Sequence, residues 1–573
     1  MKNKRVAQII VETLQEAGVK HCYGIVGDTL NYVTDAIHTS NIEWIHVRHE
    51  EVAAFAAGAE AYITDRLTAC AGSCGPGSLH FINGLFEAHR NGAPVILIAS
   101  QLATHTLGTD FPQEVDFRTI YRACSVFCEQ INDPADAKRI TTMAAQAALN
   151  KHGVAVIILP INISQAEIAD SSAIKTYSPA PCIRPNDEEL VQIAELIAKG
   201  NHIGIYAGLG CKDCHDELIA LASKLKAPIA HTSRAKDFVE YDNPYNIGMT
   251  GMLGIESGFH MIKNCDTLLI LGADFAWPQF YPDQATIIQI DKEAKHLGKR
   301  HPINFGAVGD IKTTLQALQP LLTGKQEVSF LNEYQKMYQV ATAKLDKKAK
   351  ATKEGFIRPQ FLLQLLDQYA NDDAMFTADG GSAMVWLLRH ITTNGKRRTL
   401  TSLKHGTMAN AMPQALGLQK AFPNKQIIAI SGDGGLTMLL GDLLTAIQEK
   451  LPIKVVVLNN ASLNFVELEQ KVEGLVDNYT DLKNPDFAKL AEVIGFYARK
   501  VTQGDELEEA IKEFLSQSGP ALLDVYTSPN ELVMPPKIEI GQVMGMALYG
   551  AKATLGGRGK EVFELLVDNF IKK

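Results

Sequence analysis

The strongest constraint on what this chain can fold into is a recurring pattern of short apolar runs, rich in Val and Ile, alternating with helix-length stretches. Ala93-Pro-Val-Ile-Leu-Ile-Ala and Val154-Ala-Val-Ile-Ile-Leu-Pro open the series. Ile203–Tyr206, Thr267-Leu-Leu-Ile-Leu-Gly272 and Thr286-Ile-Ile-Gln-Ile-Asp291 continue it. Gln426-Ile-Ile-Ala-Ile-Ser, Ile453-Lys-Val-Val-Val-Leu-Asn and Ala521-Leu-Leu-Asp-Val-Tyr complete it. Strands apolar on both faces must be covered on both, which predicts parallel sheets flanked by helices. At 573 residues the chain exceeds a single core. The expectation is α/β: three doubly wound parallel-sheet domains at 1–182, 183–340 and 341–530, then a tail at 531–573. The Pro-rich Tyr177–Pro185 and the charged Lys344–Gly355 read as linkers.

Several function classes drop out. A net charge of −9 without a basic stripe gives no nucleic-acid footprint. No apolar run reaches the roughly 18 residues of a membrane span. Met1–Gly24, with Val6, Ile9, Ile10 and Leu14 among polar residues, reads as an amphipathic helix rather than a signal peptide, so a cytoplasmic location is expected. Nine cysteines in so large a chain make no disulfide framework. Cys211-Lys-Asp-Cys214-His215 has the haem-attachment spacing, but it follows a strand and glycine turn and opens a helix, so packing is the better reading.

The chemistry-bearing pattern lies in the third block. Ser431-Gly-Asp-Gly-Gly435 follows an apolar strand, and the next strand ends in Asn459-Asn460. A Gly-rich turn frees backbone N–H groups to approach a diphosphate, and a following helix N-terminus favours the anion. Asp433 offers a hard oxygen ligand and Asn460 a neutral one. With a backbone carbonyl and two diphosphate oxygens they complete the near-octahedral shell of magnesium. In the first block Glu50 stands at a strand-to-helix junction, where a lone glutamate ordinarily caps or meets solvent. In the second, Ala207-Gly-Leu-Gly210 is a weak dinucleotide signal without its third glycine, and NAD is a fair rival to flavin. Asp291, at a strand end, suits a ribose contact and a structural role about equally.

Strand–GDG–helix–strand–Asn-Asn, Val47-Arg-His-Glu50 with Ala71-Gly-Ser-Cys-Gly-Pro-Gly77 downstream, and His405-Gly-Thr-Met-Ala-Asn-Ala-Met-Pro413 together resemble the pyruvate oxidase family of thiamine diphosphate enzymes, over essentially the whole chain. Tyr241–Gly251, the GDGG turn and Gly556-Gly-Arg-Gly-Lys560 are most similar to the bacterial ubiquinone-dependent branch. The resemblance implies thiamine diphosphate, Mg2+ and FAD as cofactors. Glu50 would hydrogen-bond the pyrimidine ring and favour the imino tautomer, whose nitrogen takes the thiazolium proton. Gly406 would accept from the amino group, Met408 would prop the rings into a V, and Thr407 lies between them. Asp433, Asn460 and Ser462 are the implied metal ligands, with Gly434, Gly435, Ala461, Leu463, Asn464 and Phe465 lining the cofactor. Gly251, Met252, Leu253 and Gly254, with Asp274, Phe275, Ala276, Trp277 and Pro278, are implied around FAD, and Lys292 near its adenosine end.

Gln113, Phe465 and Glu469 match catalytic positions of the branch. Two departures stand beside them: Pro112 where Phe is usual, and Asn464 where Gly is usual. The implied reaction is oxidative decarboxylation of pyruvate to acetate and carbon dioxide, with electrons passing through FAD to ubiquinone. An oxygen-dependent oxidase making acetyl phosphate, an acetolactate-synthase-like chain with structural FAD, and a silent cofactor-binding regulator are the alternatives. A homo-oligomer is expected, a dimer of dimers, in which the Glu50 domain of one subunit meets the Asp433 domain of another. In the tail, Val562, Phe563, Leu565, Leu566, Val567 and Phe570 fill an apolar arc opposite Glu561, Glu564 and Asp568. That pattern suits a docked helix or an amphipathic anchor on a phospholipid surface. The resemblance favours the anchor, at the inner face of the cell membrane.

Overall fold

A computed structural model describes residues 3–169, 174–274, 276–349, 356–531, 540–555 and 558–566. Among them stand three six-stranded sheets, every pairing parallel. The first runs Glu43–His46, His21–Gly24, Thr68–Gly72, Val95–Gln101, Val154–Pro160, Phe127–Gln130 across its width. The third runs Arg398–Thr401, Met375–Ala378, Ile427–Gly432, Lys454–Asn459, Ala521–Tyr526, Tyr497–Val501. Counted by sequence within each domain, both orders are 2-1-3-4-6-5. The middle sheet has the dinucleotide-fold order 3-2-1-4-5-6, built on Ile203–Ala207, Ile229–His231, Asn246–Met249, Thr267–Leu271, Thr286–Asp291 and Phe305–Val308. Every residue of Val95–Gln101 and Val154–Pro160 is buried, as strands covered on both faces require.

The amphipathic start folds as the helix Val6–Glu16, with Val6, Ile9, Ile10 and Leu14 all turned inward. A two-stranded antiparallel ribbon, Asn3–Arg5 with Glu167–Ala169, ties it to the end of the first domain. The second expected linker differs in its first residues. The helix Ser329–Lys348 continues through them, and residues 350–355 lie outside the described part.

The first and third domains share a hydrophobic core. Phe55, Ala56, Leu85 and Leu97 from one and Met412, Leu416, Leu436 and Val455 from the other belong to a single cluster. Its centre is the crossing of the helices Glu50–Thr64 and Ala411–Ala421. The Ala-rich sequence of the first allows the approach, and Gly417 completes it, since a Cβ there would overlap the Ala56 backbone. The middle domain joins the others through polar contacts and through Met249 and Leu253, which pack into the third-domain core. The Asp237 carboxylate accepts from the Thr399 N–H at 2.7 Å and the Thr399 hydroxyl at 2.8 Å, Lys212 pairs with Asp65 at 2.7 Å, and Arg234 donates to the Asn91 carbonyl.

Candidate active site

Two polar clusters form at the carboxyl ends of the outer sheets. In the first domain the chain turns at His49, whose ring nitrogen accepts from the Glu51 N–H, and the helix starts at Glu50. Glu50 is 7% exposed. Its Oε2 lies 2.9 Å from His80 Nδ1, and the His80 ring stacks on His49 at 4.6 Å between centroids. The Ser73–Gly77 turn sits alongside, with Glu50 Oε1 3.3 Å from where a Gly77 Cβ would be. Gln113 joins this cluster: its amide oxygen accepts from Cys74 Sγ at 3.3 Å and its backbone, at φ 72°, packs against Gly75. Pro112 and Phe111 are exposed beside it.

The third-domain cluster gathers five loops. Asp433, 2% exposed, accepts from the Gly434 N–H at 2.8 Å through Oδ1. Its Oδ2 accepts from the Ala461 N–H at 2.7 Å and from Asn484 Nδ2 at 2.8 Å. Burial pushes the Asp433 carboxyl above the ordinary carboxylate range, and these donors pull it back. Asn460 accepts from the Ser462 N–H at 3.1 Å, and Ala461 takes a left-handed φ of 55°. A β-branch-free residue tolerates that conformation at some cost, and the strained turn marks a constrained loop. Met408 and Leu463 close over Gly434, while Gly380 packs on the Thr407 carbonyl. Gly381, Gly406 and Gly432 face open space where a side chain would be, so the loops border a cradle that a Cβ would begin to fill.

The donor set in that cradle suits a hard cation that also takes oxygens from a bound diphosphate: one buried carboxylate, one amide oxygen and backbone carbonyls. Among the described residues no group of three His, Cys, Asp or Glu could hold a metal alone.

Asn464 shows what replaces the usual glycine. Its amide donates to the Pro529 carbonyl at 2.7 Å and its Oδ1 accepts from Ser382 at 3.4 Å, which fastens the start of the helix Asn464–Val472 to two other loops. Phe465 is half-buried on that helix and Glu469 is exposed. Two participants had escaped the sequence reading. Asp379-Gly-Gly-Ser382 follows a strand and opens a helix, the same grammar as the GDGG turn, and was findable on that ground. Asn484, in a Lys-Asn-Pro turn, carries no such signal. Within one chain, among the described residues, no hydrogen bond or ion pair joins Glu50 to the Asp433 cluster.

In the middle domain Gly251–Gly254, Asp274–Pro278 and Lys292 all follow strands at the carboxyl end of the sheet. Arg389 of the third domain donates to the Leu253 and Gly254 carbonyls, both at 3.2 Å, and Met252 is exposed. Arg300 pairs with Asp274 at 2.8 Å; Ala276, Trp277, Pro278 and Lys292 are exposed, and Phe275 lies outside the described residues. Asp291 is occupied internally, accepting from the Glu293 N–H and contacting His296. The Gly208–Gly210 turn packs on the backbone at Gly272, so its glycines have a structural reason at the crevice where strand order reverses. Cys211 and Cys214 are buried in this domain's core.

The C-terminal helices dock on the third domain. Ile540–Leu555 packs on Asn464–Val472, where Gly545 meets the Val472 carbonyl and Lys552 donates to the Gly474 carbonyl at 2.8 Å. Arg558 pairs with Asp477 at 2.8 Å. Of the apolar arc, Leu565 is 2% exposed in the third-domain core and Phe563 is 64% exposed; Val567 and Phe570 lie outside the described residues. No helix among the described residues is long and apolar enough to cross a membrane.

Residues 4–120, 190–318 and 379–525 match, in turn, the thiamine pyrophosphate enzyme N-terminal TPP binding domain, central domain and C-terminal TPP binding domain. The chain is 34% identical over 560 residues to the putative thiamine pyrophosphate-containing protein YdaP of Bacillus subtilis, covering 96% of both. It is 26% identical over 552 residues to pyruvate oxidase of Lactiplantibacillus plantarum, covering 94% of this chain and 91% of that one. It is 29% identical over 540 residues to the acetolactate synthase isozyme 2 large subunit of Escherichia coli, at 92% and 96% coverage.

Proposed function

The chain belongs to the thiamine pyrophosphate enzymes, and we propose that within that family it oxidatively decarboxylates pyruvate and delivers the electrons, through FAD, to ubiquinone. Pyruvate and water leave as acetate and carbon dioxide, and two electrons and two protons convert quinone to quinol. The observation that carries the catalytic half is the Asp433 cradle: a buried carboxylate, an amide oxygen and three glycines facing open space. Asp433, Asn460 and the Ser462 carbonyl would hold the metal and diphosphate there. Gly406 and Met408 border the same space and would hold the cofactor there. Thiamine supplies an electron sink for decarboxylation, and FAD a two-electron acceptor. Glu50, buried and tethered by His80, holds the proton at the pyrimidine nitrogen. Gln113, Phe465 and Glu469 orient substrate from the surrounding loops.

The Rossmann-type order of the middle sheet supports a dinucleotide there, with Gly251–Gly254, Asp274–Pro278 and Lys292 on its binding edge. The chain works as a homo-oligomer, a dimer of dimers, in which Glu50 of one subunit meets the Asp433 cradle of another. It sits in the cytoplasm at the inner face of the membrane, where the apolar residues of its C-terminal helices, Phe563 among them, meet phospholipid. The resemblance to an acetolactate synthase supports a second reading, carboligation with FAD as a structural group. Anaerobic addition of pyruvate separates the two. The oxidase reading expects the flavin to bleach and then to reoxidise faster with a ubiquinone analogue than with oxygen. A flavin that stays yellow while acetolactate accumulates would overturn it.

A further inference from the structure

Resting on the metal reading of the Asp433 cradle, we propose that Glu467 and Lys471 are positioning residues that aim the Ser462 carbonyl at the metal. The backbone around Ser462 is committed on both sides. The Ala461 carbonyl accepts from the Leu482 N–H at 2.8 Å, the Leu463 N–H donates to the Thr480 carbonyl at 2.8 Å, and the Leu463 carbonyl accepts from the Glu467 N–H at 3.0 Å. Among the described residues, no hydrogen bond uses the Ser462 carbonyl itself. It is left open to a ligand, and its direction depends on how residue 462 is held.

The side chain does the holding. Ser462 Oγ donates to Glu467 Oε2 at 2.5 Å, and Glu467 Oε1 accepts from Lys471 Nζ at 2.5 Å. The Lys471 side chain is 1% exposed, and its ammonium lies 5.1 Å from the ring centroid of Tyr549, on the docked helix Ile540–Leu555. A buried ion pair is a poor way to stabilise a helix, because desolvation offsets most of the attraction. Its gain is fixed geometry: a carboxylate pinned at one oxygen by a buried ammonium presents the other at a set point. Here that point is the hydroxyl of the metal loop. Partners one step behind a metal ligand commonly set its orientation and affinity in this way.

The test titrates Mg2+ into the metal-free full-length protein at saturating thiamine diphosphate, following intrinsic fluorescence, and separately records melting without either ligand. Ser462→Ala keeps the carbonyl and removes the anchor. Its Mg2+ midpoint should rise roughly 10-fold, with ligand-free melting unchanged. Glu467→Ala combined with Lys471→Met, which strands no charge, should raise the midpoint equally. Glu467→Gln retains an acceptor for the hydroxyl and should fall between this and the wild type. An unchanged midpoint in Ser462→Ala overturns the proposal, as does a double variant that melts earlier but binds Mg2+ normally; if the double variant does not fold, Ser462→Ala decides. Asp433→Asn serves as the control. If it abolishes the Mg2+ response while Ser462→Ala behaves as wild type, the positioning role alone falls; if it titrates normally, the metal site falls too.

Discussion

Glu50 is held in one place by one imidazole, with its other oxygen turned toward the Gly77 turn. Its amide counterpart would occupy the same volume but could no longer shuttle a proton. Glu50→Gln should therefore retain thiamine diphosphate and FAD while slowing pyruvate-dependent flavin reduction by at least about 100-fold. Near wild-type stopped-flow rates would remove Glu50 from the proton path. The sequence puts Asp433 in a Gly-rich turn and Asn460 at a strand end, and the structure brings those two loops together; Glu50 at a helix start is singled out only by the resemblance. Asn484 was not legible, because its role is to hydrogen-bond Asp433 and Asn459 from a loop that only the folded chain brings near. Asp379 differs, since its Asp-Gly-Gly turn between strand and helix is a sequence signal. Burial behind the GDGG turn pushes its carboxyl up to about 7, and the Ala411 and Gly432 N–H groups that donate to it hold it back from rising further.

Between elements, two contacts make sharp predictions. The helices Glu50–Thr64 and Ala411–Ala421 touch backbone to backbone at Ala56 and Gly417. Gly417→Ala should destabilise the protein by about 1–3 kcal/mol through overpacking, visible as a lower melting temperature with cofactor chemistry otherwise intact. Asp237 fastens the middle domain to the edge strand Arg398–Thr401, and burial raises its carboxyl from 3.8 to about 6. The groups facing it, Lys236 on its own helix and Arg398 and Thr399 across the joint, partly offset that rise. A raised folded pKa means the stabilising form is the protonated one. Its contribution is complete below about 4 and is lost as pH climbs through about 6. Asp237→Asn, with nothing to ionise, should gain on the wild type in melting temperature across that window and run parallel to it above. A constant offset at all pH values would contradict the assignment. The strands were legible because β-branched runs buried on both faces admit few alternatives. The last turn of Ser329–Lys348 was not, because a lysine-rich helix end has the composition of a linker.

At the scale of the whole molecule, whether Glu50 meets the Asp433 cradle of its own chain or that of a second copy decides how the site works. If the site is completed across an interface, a mixed dimer of Glu50→Gln and Asp433→Ala chains has one dead site and one intact site. Coexpression of the two inactive variants should recover roughly a quarter of wild-type turnover, as random pairing in a symmetric dimer requires. No recovery would place both ends of the cofactor in one chain. The C-terminal helices pose the second question. A chain ending before Gly556 should keep cofactors and dye-linked activity but lose liposome flotation and most quinone reduction. Leu565, buried in the third domain, must leave its seat if the helix is to lie in a membrane. Unfolding on truncation would make the helix structural.

The outer domains carry one further message. Their sheets share a strand order, and the two helices that cross at Gly417 are counterparts, each following the second strand of its domain. The Ser73–Gly77 and Ser431–Gly435 segments are counterparts as well, each at the carboxyl end of the third strand. The two outer domains thus repeat one plan, and corresponding helices of each meet at the crossing. A repeat of this kind is what duplication of one self-pairing domain, later fused and divided in labour, would leave. One half carries the buried carboxylate of Glu50 and the other that of Asp433. On that ancestry, close backbone approach at the crossing is older than either chemistry, and the two halves should tolerate divergence everywhere more readily than there.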